Sequence, residues 1–239
     1  MPDAVISIAG VIAVLTAFGL AFGLLDGRNF SLRWLLLAAG LVLVNDILLT
    51  RFYGAMPGIF PSAEWNWQGK ALALLATLAI AALPAFGWKR CGITLHHAPG
   101  SLRASIPVVL VYLSIFVAVA LVFPNDALSA ETLAFQATMP GLEEESFYRG
   151  ILLFALYEAF RGRLSWLGID WSWGAVLSCM LFGFAHALSY ADGAFGFDWA
   201  YMAFTAIPSF LAVWLRMRTG SVLLAILVHN AGNLILQTL

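Results

Sequence analysis

Charge is what this sequence has least of. Asp, Glu, Lys and Arg fill only 10% of its 239 positions, against roughly 25% in an ordinary soluble domain, and that shortage excludes a water-facing surface wrapped around one soluble core. A formal net charge of −1 offers no basic face for nucleic acid, and there is no acidic tail. The two cysteines, Cys91 and Cys179, are too few for a disulfide framework and lack metal-ligand spacing, so both read as ordinary small residues. No low-complexity run or internal repeat is present. What fills the chain instead is apolar: 62% hydrophobic residues and a mean hydropathy of +0.91, in runs long enough to cross a bilayer.

Those runs define eight candidate spans, at about 5–25, 31–50, 70–88, 104–123, 140–160, 171–189, 197–215 and 220–238, by hydropathy between charged or turn-rich breaks. Pro57, Gly58 and Pro61 punctuate the linker after the second, and Pro124, Asn125 and Asp126 the linker after the fourth, as turn chemistry requires. No Lys or Arg precedes Val5, so the first run reads as a reverse-oriented spanning helix and not as a secretory signal. The fold expected is all-α, a polytopic membrane protein of about eight transmembrane helices forming one domain over residues 1–239.

Nine of the twelve basic residues fall in alternate loops: Arg28 and Arg33, then Lys89, Arg90 and Arg103, then Arg161 and Arg163, then Arg216 and Arg218. Cytoplasmic loops are enriched in Lys and Arg, so both termini are expected on the other side, with Arg51 and Lys70. Trp65, Trp67, Trp171 and Trp173 suit interfacial anchors near span ends. His96 and His97 share a basic loop with Lys89 and Arg90 and read as solvated. Asn45 and Asp46 lie deep in the second span, where they serve either helix packing or a cavity.

Ionisable groups inside a span are costly and mark function. Three spans of the C-terminal half carry them: Glu143-Glu144-Glu145-Ser-Phe-Tyr-Arg149, Phe182-Gly-Phe-Ala-His186 and His229-Asn-Ala-Gly-Asn233. With about 100° between successive helical positions the three glutamates cannot share a face, whereas Glu145 and Arg149, at i and i+4, can pair. Glu144 then points elsewhere, toward a role as general base. His229 and Asn233 also stand i and i+4 and can both donate to a developing oxyanion, while His186 brings a second imidazole. At about 1.5 Å per residue, Glu144, His186 and His229 fall roughly 16 to 25 Å from the basic ends of their helices, so they can meet in one layer past the midplane. Blander roles compete: glutamates following Pro140 suit the first turn of any helix, and a single histidine often only packs. Those roles must explain three spans separately.

The three motifs resemble the EExxxR, FxxxH and HxxxN motifs of the CAAX-protease and bacteriocin-processing family, in the same order, with the resemblance covering about 130–239. It implies an intramembrane endopeptidase similar to CAAX prenyl proteases, cutting near the C-terminus of a membrane-associated protein or peptide substrate. By position, Glu144, His186, His229 and Asn233 would be catalytic, and Glu145, Arg149 and Phe182 supporting. No cofactor is expected. A Glu with two His could hold zinc, but no HExxH pairing occurs and a glutamate-type, metal-free site is favoured. Tyr148, where the family pattern leads one to expect Phe, and the additional Glu143 depart from it without removing a catalytic role. Residues 1–129 would add helices that contribute topology alone. The bilayer is the expected partner, nucleic acid is not, and a prokaryotic plasma membrane is the expected location. The alternatives are a non-catalytic scaffold or bacteriocin-immunity factor of the same fold, and a proton-coupled transporter, which should show paired broken spans.

Overall fold

The computed structural model describes residues 2–124 and 129–239; Asn125 and Asp126, read above as turn punctuation, lie outside them. Most of the described residues are helical. In order come α1 (Pro2–Asp26), α2 (Leu32–Leu49), α3 (Trp67–Ala82), α4 (Ser101–Val122) and the short α5 (Ala130–Gln136). A π-helical segment, Gly141–Leu152, then runs without a break into α6 (Leu153–Ala159), followed by α7 (Trp173–Ala187), α8 (Trp199–Thr219) and α9 (Leu223–Thr238). Each of the eight expected spans therefore overlaps a helical segment, although the third, expected to reach residue 88, ends as a helix at Ala82. By length and apolarity, four are sufficient to cross a bilayer on their own, Asp3–Asn29, Leu32–Leu49, Ser101–Val122 and Trp199–Thr219, whereas Trp67–Ala82, Trp173–Ala187 and Leu223–Thr238 are shorter apolar helices. The protein is an all-α integral membrane protein.

Two small hairpins interrupt the helices, β1 (Leu164–Trp166) with β2 (Ile169–Trp171) and β3 (Leu188–Ala191) with β4 (Ala194–Phe197). Each turns on two residues with positive φ, Leu167-Gly168 and Asp192-Gly193, the backbone that two-residue hairpin loops demand. The alternation of such short strands is swamped by the apolar helices around them.

The loops and helix ends that carry the nine basic residues meet at one end of the bundle. Arg161 N–H bonds Asn29 C=O at 2.9 Å, Arg216 Nη2 donates to Arg90 C=O at 2.8 Å, and Ala98 N–H bonds Thr219 C=O at 2.8 Å. Two glycines set close helix approaches. A Cβ on Gly174 would lie 2.3 Å from the Leu156 carbonyl oxygen, and one on Gly183 2.6 Å from Met202 Sδ, so α7 can be drawn against both α6 and α8 only because these side chains are absent.

Candidate active site

The π-helical segment is the unusual element. Its register shows at its end, where Leu153 N–H reaches Tyr148 C=O, five residues back. Such turns are rare and are often found at functional sites. It is pinned from α9: Asn230 Oδ1 accepts from Gly141 N–H at 2.8 Å while Asn230 Nδ2 donates to Thr138 C=O at 3.1 Å. Gly141 is required there, since a Cβ would stand 2.4 Å from Asn230 Oδ1.

Beside this segment lies a cavity of about 490 Å³ whose walls include Glu144, Arg149, Phe182, His186, His229 and Asn233. It sits at the end remote from the basic loops, because Trp65 and Asn66 before α3, Tyr201 near the start of α8 and Gln237 near the end of α9 also line it. Glu145, fully buried, lies behind the wall. Its Oε2 is 3.1 Å from Arg149 Nε and its Oε1 accepts from His229 Nδ1 at 2.7 Å. Thus the i, i+4 pair expected from spacing is present, with a histidine as its third member. The Arg149 guanidinium lies 4.3 Å from the centre of the Phe182 ring, a cation–π contact that joins the first motif to the second.

The tautomers follow from the partners. A carboxylate can only accept, so His229 Nδ1 carries a proton and Nε2 faces Glu144, whose Oε2 is 3.8 Å away. His186 Nδ1 lies 2.7 Å from the Phe182 carbonyl oxygen, which likewise only accepts, leaving Nε2 of His186 as an acceptor. Asn233 Nδ2 donates to Gln136 Oε1 of α5 at 3.0 Å. Donors and acceptors therefore converge around the Glu144 carboxylate: one that can take a proton, two imidazoles and an amide.

Residues 126–235 match the family described as Rce1-like, type II CAAX prenyl endopeptidase. This part of the chain is similar to the CAAX protease family. No curated protein and no solved structure matches the chain. The match supports a CAAX-type intramembrane endopeptidase and implies a bilayer setting, and the matched stretch contains all three polar motifs.

Several residues of the cavity are not legible in those motifs. Lys70 of α3 donates to Glu143 Oε2 and to Glu144 Oε1, both at 2.6 Å; the charge pattern along the chain only grouped it with Arg51 on the side away from the basic loops, yet it stands inside the protein. Tyr112 and Phe116 of α4, stacked with ring centres 5.0 Å apart, form another wall. Helices α3 and α4 thus contribute side chains as well as topology. One signal does point to Lys70: three glutamates facing a single arginine leave acidic charge that a buried site must balance.

Asp46 accepts from Tyr53 Oη at 2.7 Å and stays outside the cavity wall, whereas Asn45 approaches Glu143. His96 is exposed and His97 half-buried, and both line a separate surface hollow at the basic end. Both cysteines are free and buried. Among the described residues no group of three His, Cys, Asp or Glu side chains has an arrangement that could hold a metal ion. Lys70 holds one oxygen of Glu144, and each histidine has its Nδ1 hydrogen-bonded.

Proposed function

We propose that this chain cleaves a peptide bond near the C-terminus of a membrane-associated substrate with a water molecule activated by Glu144 and His186. The observation that carries this reading is the 3.8 Å gap between Glu144 Oε2 and His229 Nε2. That distance is too long for a direct hydrogen bond and suits one bridging molecule. Because Lys70 occupies Oε1, Oε2 is the oxygen left to act as base.

The proton balance is simple. Glu144 takes one proton from water, the hydroxide adds to the scissile carbonyl, and the tetrahedral oxyanion is met by Asn233 and His229. With Nδ1–H committed to Glu145, His229 donates to the oxyanion through Nε2 only as an imidazolium. The intermediate then collapses as the proton on Glu144 passes to the leaving amine.

We favour a glutamate-type site over a metal-dependent one, because a cation seeking Glu144 would meet the Lys70 ammonium already 2.6 Å from it. By the rule that basic loops stay in the cytoplasm, the cavity opens toward the far face of a prokaryotic plasma membrane, where exported substrates are met.

The test is cleavage of a panel of C-terminal membrane peptides, some prenylated, by purified protein and by Glu144→Gln, each with and without a strong zinc chelator. Cleavage by wild type alone, indifferent to chelator, is expected. Equal cleavage by both proteins would remove Glu144 from the mechanism, and loss on chelation would overturn the metal-free assignment.

A further inference from the structure

The matched residues begin at 126, yet the strongest charge in contact with Glu144 comes from residue 70. Its placement is built into α3. Asn66 caps that helix, its side chain accepting from Gly69 N–H at 3.0 Å, and Gly69 lets the first turn press against the end of α2: a Cβ there would stand 2.1 Å from the Leu49 carbonyl oxygen. The next residue, Lys70, is thereby carried inward onto the π-helical segment.

The charges around it do not balance locally. Glu145 is served by Arg149 and His229. Glu143 and Glu144 share the ammonium of Lys70, and Glu143 is fully buried with one oxygen unbonded. Two carboxylates therefore rest on one cation. Without that cation, adjacent buried carboxylates cannot both stay ionised and would hold a proton between them. A base already carrying a proton cannot accept one from water.

We propose that Lys70 is a positioning residue of the active site, which keeps Glu144 in its base form by compensating the paired charge of Glu143 and Glu144. The inference rests on the role assigned to Glu144 above and adds to it a residue from outside the matched segment. Glu143 is then the counterweight: it fixes the ammonium between two oxygens and limits how much positive charge reaches Glu144. The other groups facing Glu144 are His229 of α9, His186 of α7, Tyr112 of α4, and Tyr148 and Arg149 on its own segment. From α2, Asn45 approaches Glu143, and Asp46, bonded to Tyr53, acts on Tyr148. None of these is altered in the variants below.

The experiment measures kcat/KM against pH for wild type, Lys70→Met, Glu143→Gln, the Lys70→Met/Glu143→Gln double variant and Glu144→Gln, with thermal unfolding in detergent for each. Removing the cation should lower activity about a hundredfold near neutral pH and move the acid limb of the profile to higher pH. Removing Glu143 alone should move that limb to lower pH, since Glu144 then has the ammonium to itself. The double variant restores the wild-type charge sum of the cluster and should recover at least about tenfold over Lys70→Met. A merely structural lysine would give no recovery when its second partner is also removed.

A double variant no more active than Lys70→Met at any pH, with Glu143→Gln superimposed on wild type, would overturn the proposal. Should Lys70→Met fail to fold, the acid limb of Glu143→Gln decides alone. A wild type that cleaves and a Glu144→Gln that does not, combined with those negative results, overturns the role of Lys70 only. Cleavage by Glu144→Gln at the wild-type rate overturns the role of Glu144 and takes this inference with it.

Discussion

Glu145 and His229, 84 positions apart in the chain, share a 2.7 Å hydrogen bond in the buried interior. The same carboxylate meets Arg149 at 3.1 Å, so it orients the imidazole and neutralises the guanidinium at once. Glu145→Gln should separate these two duties. Loss of the orienting charge is expected to lower kcat by roughly 10² to 10⁴ with little change in KM. Loss of the counter-ion leaves Arg149 buried and unpaired, which destabilises by roughly 3–5 kcal/mol. Adding Arg149→Met should return much of the stability and none of the activity. Steady-state kinetics and detergent unfolding curves check both, and recovery of activity in the double variant would sink this division of roles.

The glycines of α7 give a graded test of helix packing. At Gly174 a new methyl would meet a backbone carbonyl, Leu156 C=O, at 2.3 Å; at Gly183 it would meet the Met202 thioether at 2.6 Å and Ala206 Cβ at 2.9 Å. A thioether moves aside more cheaply than a backbone. Overpacking costs about 1–3 kcal/mol, so Gly174→Ala should fall at the upper end and Gly183→Ala at the lower. Unfolding midpoints in the reverse order would show that α7 is not held as described.

Outside the spans, α5 is stapled to the loop before α3. Glu131 Oε1 accepts from Glu64 N–H at 3.0 Å, Trp65 N–H at 3.3 Å and Trp67 Nε1 at 3.0 Å. Desolvation by itself would push the Glu131 carboxyl up, but the donors from Trp67, Glu64 and Trp65 outweigh it and hold it below the usual carboxylate range. A carboxyl whose folded value is depressed stabilises fully above its unfolded value, and that contribution is lost as pH falls through the folded one. The staple should therefore hold at neutral pH and release only in acid, below the ordinary glutamate range of about 4.3. The indole N–H resonance of Trp67 reports this directly. Release at or above that range, or no change on Glu131→Gln, would contradict it.

Much of this architecture follows from local sequence alone. Eight apolar runs became helical segments because a backbone away from water must satisfy its hydrogen bonds internally, and the pairing of Glu145 with Arg149 followed from spacing on one helix. The grouping of nine basic residues at one end was likewise readable, since alternation between loops needs no tertiary knowledge.

What only the tertiary structure decided is which helices meet at the cavity. Lys70 and Glu143 are 73 positions apart, and nothing in the α3 sequence says that its first turn leans on the π-helical segment. The register of that segment was hidden too, because i→i+5 bonding leaves no separate hydrophobic period. The short hairpins rest on Leu167-Gly168 and Asp192-Gly193 turns whose strands are too brief to stand out. Motif spacing specifies which side chains share a helix face; the counter-charge of a buried carboxylate is chosen by whichever distant helix packs against it, through close contacts such as Gly69 against Leu49 that sequence periodicity does not encode.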